Sequence, residues 1–192
     1  DLVRSRGLGD VYKRQELYIV NYCHPNCKPL QNIMRLPEKQ AFEKAGELAR
    51  KNPETNAFYR FADFENYYPR RLKADSIIYR LFIELGGKPK EKHPLSFALQ
   101  DSRYLDNWFG NGIITRIPLK DIPDEYISFT YGDSSAMIEK TGNVKLITKQ
   151  MLLDDILSFD GTIEEYLREA EKNYCYIEVQ LWNDDAIKAY IE

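Results

Sequence analysis

The chain has 192 residues, 43% of them hydrophobic, and a formal net charge of −3 at pH 7. This length and composition indicate one globular domain with a buried core, and the acidic balance argues against nucleic acid or an anionic membrane as the main partner, because both need a dominant basic face. No apolar run approaches the roughly 18 residues of a membrane-spanning helix, and three cysteines are too few for a disulfide scaffold, so we expect a cytoplasmic protein.

Residues 1–15 have a different origin from the rest. Residues 5–15, SRGLGDVYKRQ, match residue for residue the translation of a transposase adapter that is used to prepare sequencing libraries. We therefore interpret 1–15 as a non-native, disordered scar and place the single globular domain at 16–192. A native, flexible basic arm is the alternative. Because the scar carries more basic than acidic side chains, the rest of the chain is more acidic than the whole.

The first half of the domain is predicted to contain both strands and helices. A strand is expected at 17–22 and a short helix at 30–36, followed by a helix that begins at Pro37 and ends at Asn52. The segment AFYRF (57–61) is strand-like. The clearest helix begins at Pro69 and ends at the pair of glycines at 86–87.

The second half is richer in strands. They are predicted at 95–100, 113–119, 127–131 and 173–182, with a hairpin at 136–147 that turns at 141–143. Thr148 can cap one helix, Thr162 and Glu165 form the capping box of another, and a short helix follows Asn183. Because helices and strands do not alternate regularly, we predict an α+β fold: a single domain with a mixed or mainly antiparallel sheet and about five helices.

The block YGDSSA (131–136) resembles the nucleophile segment of the GDSL hydrolases, with Ser134 as the nucleophile. Such a serine needs a base, and in that family a histidine near the C-terminus supplies it. Both histidines of this chain, His24 and His93, lie upstream. We favour a simple turn in which Asp133 accepts hydrogen bonds from neighbouring backbone amides.

The segment CHPNC (23–27) brings two thiols and an imidazole together. Structural zinc needs four ligands, and only the isolated Cys175 and His93 remain to complete a set with Cys23, His24 and Cys27. We therefore predict half-buried free cysteines at the end of a strand and no bound metal.

The stretch FADFENYYPRR (61–71) is dense in charged and aromatic residues. Asp63 and Glu65 would share one face of a continuing strand, where a carboxylate pair can serve acid–base chemistry or a metal. Arg70 and Arg71 follow and can clamp a phosphate. The favoured alternative is a network of surface ion pairs around the start of a helix.

The last predicted strand has two different faces, because alternate residues of a strand point to opposite sides. One side is apolar and is expected to face the core: Cys175, Ile177, Val179 and Leu181. The other side mixes aromatic and polar groups: Tyr174, Tyr176, Glu178, Gln180 and Trp182. A solvated strand more often carries lysine, threonine or several charges, so we predict that this second side lines a concave site.

Three segments together resemble the ADP-ribosyltransferase superfamily, especially its DNA-modifying bacterial toxin branch. They are LYIVNY (17–22) with the short helix after it, RIPLKDIPDEYISFT (116–130), and IEVQLW (177–182) followed by AIKAYI (186–191). The resemblance implies that NAD is the substrate and that Glu178 is the catalytic residue, which orients the nicotinamide ribose and stabilises the cation that develops as nicotinamide leaves. It also implies that Arg60 holds the NAD pyrophosphate and that Ser128, Thr130 and Gln180 line the NAD site.

A non-catalytic binding module is the alternative from a different functional class. Tyrosine, tryptophan and arginine dominate the energetics of protein interfaces. A partner protein would then contact an aromatic and arginine-rich surface formed by Tyr67, Tyr68, Arg70, Arg71, Trp108 and Trp182.

Overall fold

The structure, a computed structural model, describes residues 17–191, so the interpretation of 1–15 as a scar falls outside the described residues. Six strands lie within that range: β1 (Tyr18–Cys23), β2 (Leu95–Leu99), β3 (Ile113–Pro118), β4 (Ile127–Tyr131), β5 (Ile147–Thr148) and β6 (Ile177–Leu181). They form one sheet in the order β3-β1-β2-β6-β4-β5, and all neighbouring strands pair antiparallel.

Seven α-helices accompany the sheet in the described part of the chain. They are α1 (Glu38–Lys51), α2 (Phe64–Glu84), α3 (Arg103–Trp108), α4 (Ser134–Thr141), α5 (Lys149–Ser158), α6 (Ile163–Tyr174) and α7 (Lys188–Ile191). The predicted α+β fold with a mainly antiparallel sheet is confirmed. None of these seven helices has the combination of length and apolar character that crossing a membrane requires.

Local side-chain chemistry sets the starts of α5 and α6. The hydroxyl of Thr148 accepts the backbone N–H of Met151 at 3.2 Å. At α6, the Thr162 hydroxyl accepts the N–H of Glu165 at 3.2 Å, and the Glu165 carboxylate accepts the N–H of Thr162 at 2.8 Å. Each bond satisfies an N–H that has no partner within its helix, so both predicted caps are confirmed.

The sheet lies between two layers of helices. On one face, Phe129 of β4 and Val179 of β6 pack with Leu152 of α5 and Ile163 of α6 in the largest apolar cluster. The opposite face is covered in two parts. Trp182 packs under α2 and α4, and the side chains of β1 and β2 pack under α3. The alternating faces of β4 and β6 therefore belong to two different interiors.

Helix α2 begins at Phe64, upstream of the predicted start at Pro69, and Pro69 lies inside the helix. The reason is the aromatic cluster at its N-terminal end, where Phe64 contacts Phe42 of α1 and the neighbouring ring of Tyr68. Burial of these rings stabilises the additional turns, although Pro69 has no N–H to donate within the helix.

The segment 57–61 is not a strand as predicted. A short 3-10 helix spans Asn56–Phe58, and turns follow it. Phe58 and Phe61 stack on each other with ring centroids 5.6 Å apart. Residues three apart point to opposite sides of a strand but to the same side of a 3-10 helix or a turn, so this packing selects the turn conformation.

The predicted hairpin at 136–147 is also wrong, because its first half is helix α4. Asp133 caps this helix by accepting the N–H of Ala136 at 2.8 Å. Gly142 ends it in the left-handed conformation, with φ of 75°, and donates its N–H to the carbonyl of Ile138 at 2.8 Å. A left-handed glycine can end a helix or turn a hairpin, and here it ends a helix.

Candidate functional site

The polar residues of β4 and β6 meet on the face of the sheet that α2 and α4 cover. Ser128 of β4 pairs with Gln180 of β6, and Thr130 pairs with Glu178. All four are buried: Glu178 is 5% exposed and Gln180 is 1% exposed. Glu178 and Gln180 therefore lie beneath helices, whereas Tyr174, which was predicted on the same side of the strand, belongs to α6 and is 48% exposed. The fold brings four of the five residues of the predicted NAD site together.

A chain of hydrogen bonds joins these four residues to Trp182. The Trp182 indole donates to the Ser128 hydroxyl at 2.8 Å, and Ser128 donates to Gln180 Oε1 at 2.8 Å. Gln180 Nε2 donates to the Thr130 hydroxyl at 3.1 Å and to Glu178 Oε1 at 2.8 Å. Because the Gln180 amide uses both its oxygen and its nitrogen, its orientation is fixed and it holds Glu178 in place.

Ser134, the first residue of α4, binds both oxygens of the Glu178 carboxylate. Its hydroxyl donates to Oε1 at 2.6 Å and its backbone N–H donates to Oε2 at 3.1 Å. The carboxylate thus lies at the N-terminus of α4, where the helix dipole favours negative charge. From the sequence, Ser134 was considered only as a nucleophile. Asp133 is a residue type that caps helices, so it could have indicated that a helix begins at Ser134.

Neither histidine supplies the base that a Ser134 nucleophile would need. Ser134 is 1% exposed and its hydroxyl donates to Glu178. The His24 ring lies 3.2 Å from the Thr55 hydroxyl, and the His93 ring lies 2.6 Å from a carboxylate oxygen of Asp75. Asp133 accepts a neighbouring backbone amide as predicted, but it does so as the cap of helix α4 and not within a simple turn.

The Glu178 carboxyl changes its protonation near neutral pH. Burial raises its pKa from the ordinary value of 4.5 to about 7, and the nearby charge of Asp133 acts in the same direction. Arg71 and the hydrogen bonds from Ser134 and Gln180 oppose this rise but do not cancel it. Residues with such strongly shifted pKa values are concentrated at functional sites.

Arg71 of α2 is the arginine that acts on Glu178. Its side chain is 13% exposed, and its Nε lies 2.9 Å from a carboxylate oxygen of Asp75. The second oxygen of Asp75 lies 2.6 Å from Nδ1 of His93. Burial by itself lowers the pKa of Arg71, but the charges of Asp75, Tyr67 and Glu178 outweigh it and raise the pKa, so this guanidinium is charged. The i,i+4 spacing of Arg71 and Asp75 could have indicated from the sequence that these two side chains pair on one face of a helix.

Arg60 lies in the turn before α2, among aromatic rings. Its Nε donates to the Tyr59 hydroxyl at 2.8 Å, and its guanidinium lies over the rings of Tyr59 and Tyr67, 5.5 and 5.8 Å from their centroids. Asp133 is one of the charges that act on it. Arg60 is therefore held near the candidate site by cation–π contacts, and it makes no ion pair with a described residue.

A row of aromatic rings leads from Arg60 to Tyr176, the residue before β6. Tyr59 meets Trp108 at a centroid distance of 5.7 Å, Trp108 stacks on Tyr104 at 6.0 Å, and Tyr104 stacks on Tyr176 at 6.2 Å. Burial raises the pKa of Tyr176 well above its usual range, and the charge of Glu178 adds to the rise. The row ends at Tyr176, two residues before Glu178 in the chain. We call these four rings the aromatic shelf.

The six residues of the predicted partner surface do not form one surface. Trp182 is fully buried, stacked on Phe82 with centroids 5.5 Å apart, so its place on that surface is wrong. Arg71 is mostly buried, while Arg70 is exposed and pairs with Glu139. The remaining three side chains are half-buried: Tyr67, Tyr68 and Trp108.

Two further predicted clusters, the carboxylate pair of Asp63 and Glu65 and the CHPNC segment, do not form sites. Asp63 accepts hydrogen bonds from Asn66 at the start of α2, and the helix separates it from the exposed Glu65.

Burial raises the pKa of the Cys23 thiol to about 11, and the nearby Cys27 adds to the rise. Both cysteines are free, and residues 17–191 contain no group of three or more side chains arranged to hold a metal ion.

Comparison with known proteins assigns the chain to no family. No protein-family model, no curated protein and no solved structure matches the chain. The resemblance to ADP-ribosyltransferases therefore rests on the three sequence segments alone.

Proposed function

We propose that this chain is an ADP-ribosyltransferase-like domain that uses NAD as its substrate. One observation carries the proposal: Glu178, Gln180, Ser128 and Thr130 form a single hydrogen-bonded network at the end of the aromatic shelf. The four were assigned to the NAD site from the resemblance alone. Their convergence on one side of two neighbouring strands supports that assignment.

The chemistry of the site suits cleavage of the bond between nicotinamide and ribose. When that bond breaks, its electron pair leaves with nicotinamide, and C1′ of the ribose becomes positively charged before it bonds to an acceptor. The acceptor loses a proton to solvent. An ionised Glu178 stabilises the positive charge, and its three hydrogen-bond donors hold it in place, so little reorganisation is needed during the reaction.

The aromatic shelf offers stacking surfaces for the planar rings of NAD. Tyr59 is 56% exposed and Tyr104 is 47% exposed, so both rings are open to a ligand. Aromatic side chains stack on nucleobases with little sequence preference. Arg60, at the far end of the shelf, carries the positive charge that a pyrophosphate needs.

We expect NAD to bind the wild-type protein, and Tyr104→Ala to weaken binding about tenfold, because loss of one stacking ring typically costs 1–3 kcal/mol. The measurement is a calorimetric titration at constant pH. Tyr190→Ala is the matched control, because Tyr190 has a similar exposure of 42% and lies on α7. Absence of NAD binding by the wild-type protein contradicts the proposal, and so does an equal loss in the control.

A partner-binding role for the aromatic shelf is the second candidate. Tyr59, Tyr104 and Trp108 are residue types that dominate protein interfaces, and the first two are well exposed. This role predicts that Tyr104→Ala weakens a protein complex and that Glu178→Gln leaves it unchanged. The transferase proposal predicts an effect of Glu178→Gln on NAD chemistry.

A further inference from the structure

The two edges of the sheet differ in how well they are protected. At one edge, β5 has only two residues and leads directly into α5. At the other edge, β3 has six residues, and within residues 17–191 it pairs with β1 alone. A long edge strand presents a row of unpaired N–H and C=O groups to other chains, so β3 is the edge at which another strand can add.

The hydrogen bonds on the two sides of β1 reveal the phase of its pairing with β3. Tyr18 lies opposite Pro118, and one residue further along, the Leu119 N–H donates to the Leu17 carbonyl at 2.9 Å. The Tyr18 carbonyl instead accepts the N–H of Gln100 at 3.0 Å, on the side of β2. The position of Pro118 is therefore one at which β3 and β1 do not exchange hydrogen bonds.

This phase determines which backbone groups of β3 point outwards. Opposite residues of an antiparallel pair exchange hydrogen bonds at every second position, so Ile113, Thr115 and Ile117 bond to β1. Ile114 and Arg116 direct both their N–H and their C=O groups to the outer edge. Among residues 17–191, these outward groups have no hydrogen-bond partner. An added strand can pair with all of them without breaking a bond to β1.

The side chains of β3 do little to prevent such pairing. A charge on an edge strand normally deters another strand, and the one charged residue of β3 is Arg116. Asp101 binds its Nε and Nη2 at 2.8 and 3.1 Å. Because Asp101 follows β2, on the far side of β1, the guanidinium is drawn over β1 and away from the outer edge.

Two copies of β3 complement each other in one antiparallel register. When Thr115 lies opposite Thr115 of a second copy, Ile114 lies opposite Arg116 in both halves, and each such pair exchanges both of its outward hydrogen bonds. A register centred on Arg116 would place two cations opposite each other and would use Pro118, which has no N–H. A register centred on Ile114 would need Gly112, which lies outside β3.

We propose that this chain forms a two-fold symmetric dimer in which β3 pairs antiparallel with β3 of a second copy, centred on Thr115. The pairing joins two six-stranded sheets into one continuous sheet. It uses no residue of the candidate NAD site, so the dimer and the transferase proposal stand or fall separately.

Sedimentation equilibrium over a series of protein concentrations tests the dimer. The wild-type mass should rise from 22.6 kDa towards twice that value as the concentration increases to about 100 µM, because a small interface associates weakly. Arg116→Pro removes an outward N–H without removing a bond to β1, so it should raise the dissociation constant at least about tenfold. Arg116→Ala is the matched control. It loses the same ion pair with Asp101 but keeps the N–H, so it should dimerise like the wild-type protein.

Cysteine cross-linking tests the register and does not depend on whether Arg116→Pro folds. The variants are made with Cys175→Ser, because Cys175 is the exposed native thiol. Thr115→Cys should form an intermolecular disulfide under mild oxidation, since the Cα atoms of such an opposite pair lie about 4.5 Å apart. Ile113→Cys is the control. Ile113 is also exposed, at 40%, but it lies opposite Ile117 of the second copy, which separates the two cysteines by about 14 Å.

A wild-type protein that stays monomeric at every concentration overturns the inference, including a monomer whose β3 edge binds a different protein. Undiminished dimerisation of a folded Arg116→Pro variant overturns it too. Equal cross-linking of Thr115→Cys and Ile113→Cys contradicts the register. A dimer that only Arg116→Pro weakens and that only Thr115→Cys cross-links supports the inference, whether or not the protein cleaves NAD.

Discussion

The free energy of unfolding should fall by about 3 kcal/mol between pH 4 and pH 8 because of Glu178 alone. Its pKa is about 7 in the folded protein and 4.5 when unperturbed, and each pKa unit corresponds to about 1.4 kcal/mol. The folded protein binds this proton more tightly than the unfolded chain does. Its contribution to stability is therefore fully present below pH 4.5 and is lost as the pH rises through 7.

Glu178→Gln isolates this contribution, because the variant keeps the shape of the side chain without a titratable proton. The measurement is urea unfolding of both proteins at several pH values, and the quantity of interest is the wild-type stability minus the variant stability. His24 acts in the opposite direction, since burial lowers its pKa, but it is present in both proteins and cancels in the difference. Glu139→Gln is the control, because it removes a carboxylate of α4 that is exposed and not buried. A difference that stays constant from pH 4 to pH 8 would contradict the burial of a carboxylate at this position.

Trp182→Ala should destabilise the protein by about 4 kcal/mol, in the range for removing a large buried aromatic side chain. Trp182 is fully buried, stacks on Phe82 and meets the ring of Tyr79 with centroids 5.8 Å apart. The substitution also removes the indole donor to Ser128 and leaves a cavity between α2 and the sheet.

Urea unfolding measures this loss directly. Trp182→Phe keeps a stacked ring but not the indole donor, so it should lose less than half as much. Trp108→Ala is the second control. Trp108 is the only other tryptophan of the chain, and it is half-buried on the aromatic shelf and not fully buried. A loss below about 1 kcal/mol for Trp182→Ala would mean that this side chain does not hold α2 against the sheet.

The fold was predictable where a short stretch of sequence determines its own structure. The strand at 127–131 has the β-branched and aromatic residues that favour a strand, and the threonine caps at 148 and 162 satisfy N–H groups within three residues. The start of α2 was not predictable in this way. It depends on contacts of Phe64 with Phe42, which is distant in sequence, and these contacts outweigh the local signal of Pro69.

The candidate site was predictable to the extent that strand alternation determines it. Alternation put Glu178 and Gln180 on one side of β6, and the register of β4 brought Ser128 and Thr130 opposite them. The roles of Ser134 and Arg71 depend on helices α4 and α2, which the sequence analysis had taken for a hairpin and for a helix with a later start.

Release of nicotinamide from NAD tests the central claim most directly. The wild-type protein, Glu178→Gln and the control Glu139→Gln are compared at saturating NAD, with NAD affinity measured in parallel. We predict that the wild-type protein and the control release nicotinamide, and that Glu178→Gln does so about 100-fold more slowly with its NAD affinity unchanged within about threefold, because loss of a preorganised stabilising charge costs about 10²–10³ in rate. Release at an undiminished rate by Glu178→Gln, or no release by the wild-type protein, would contradict the account.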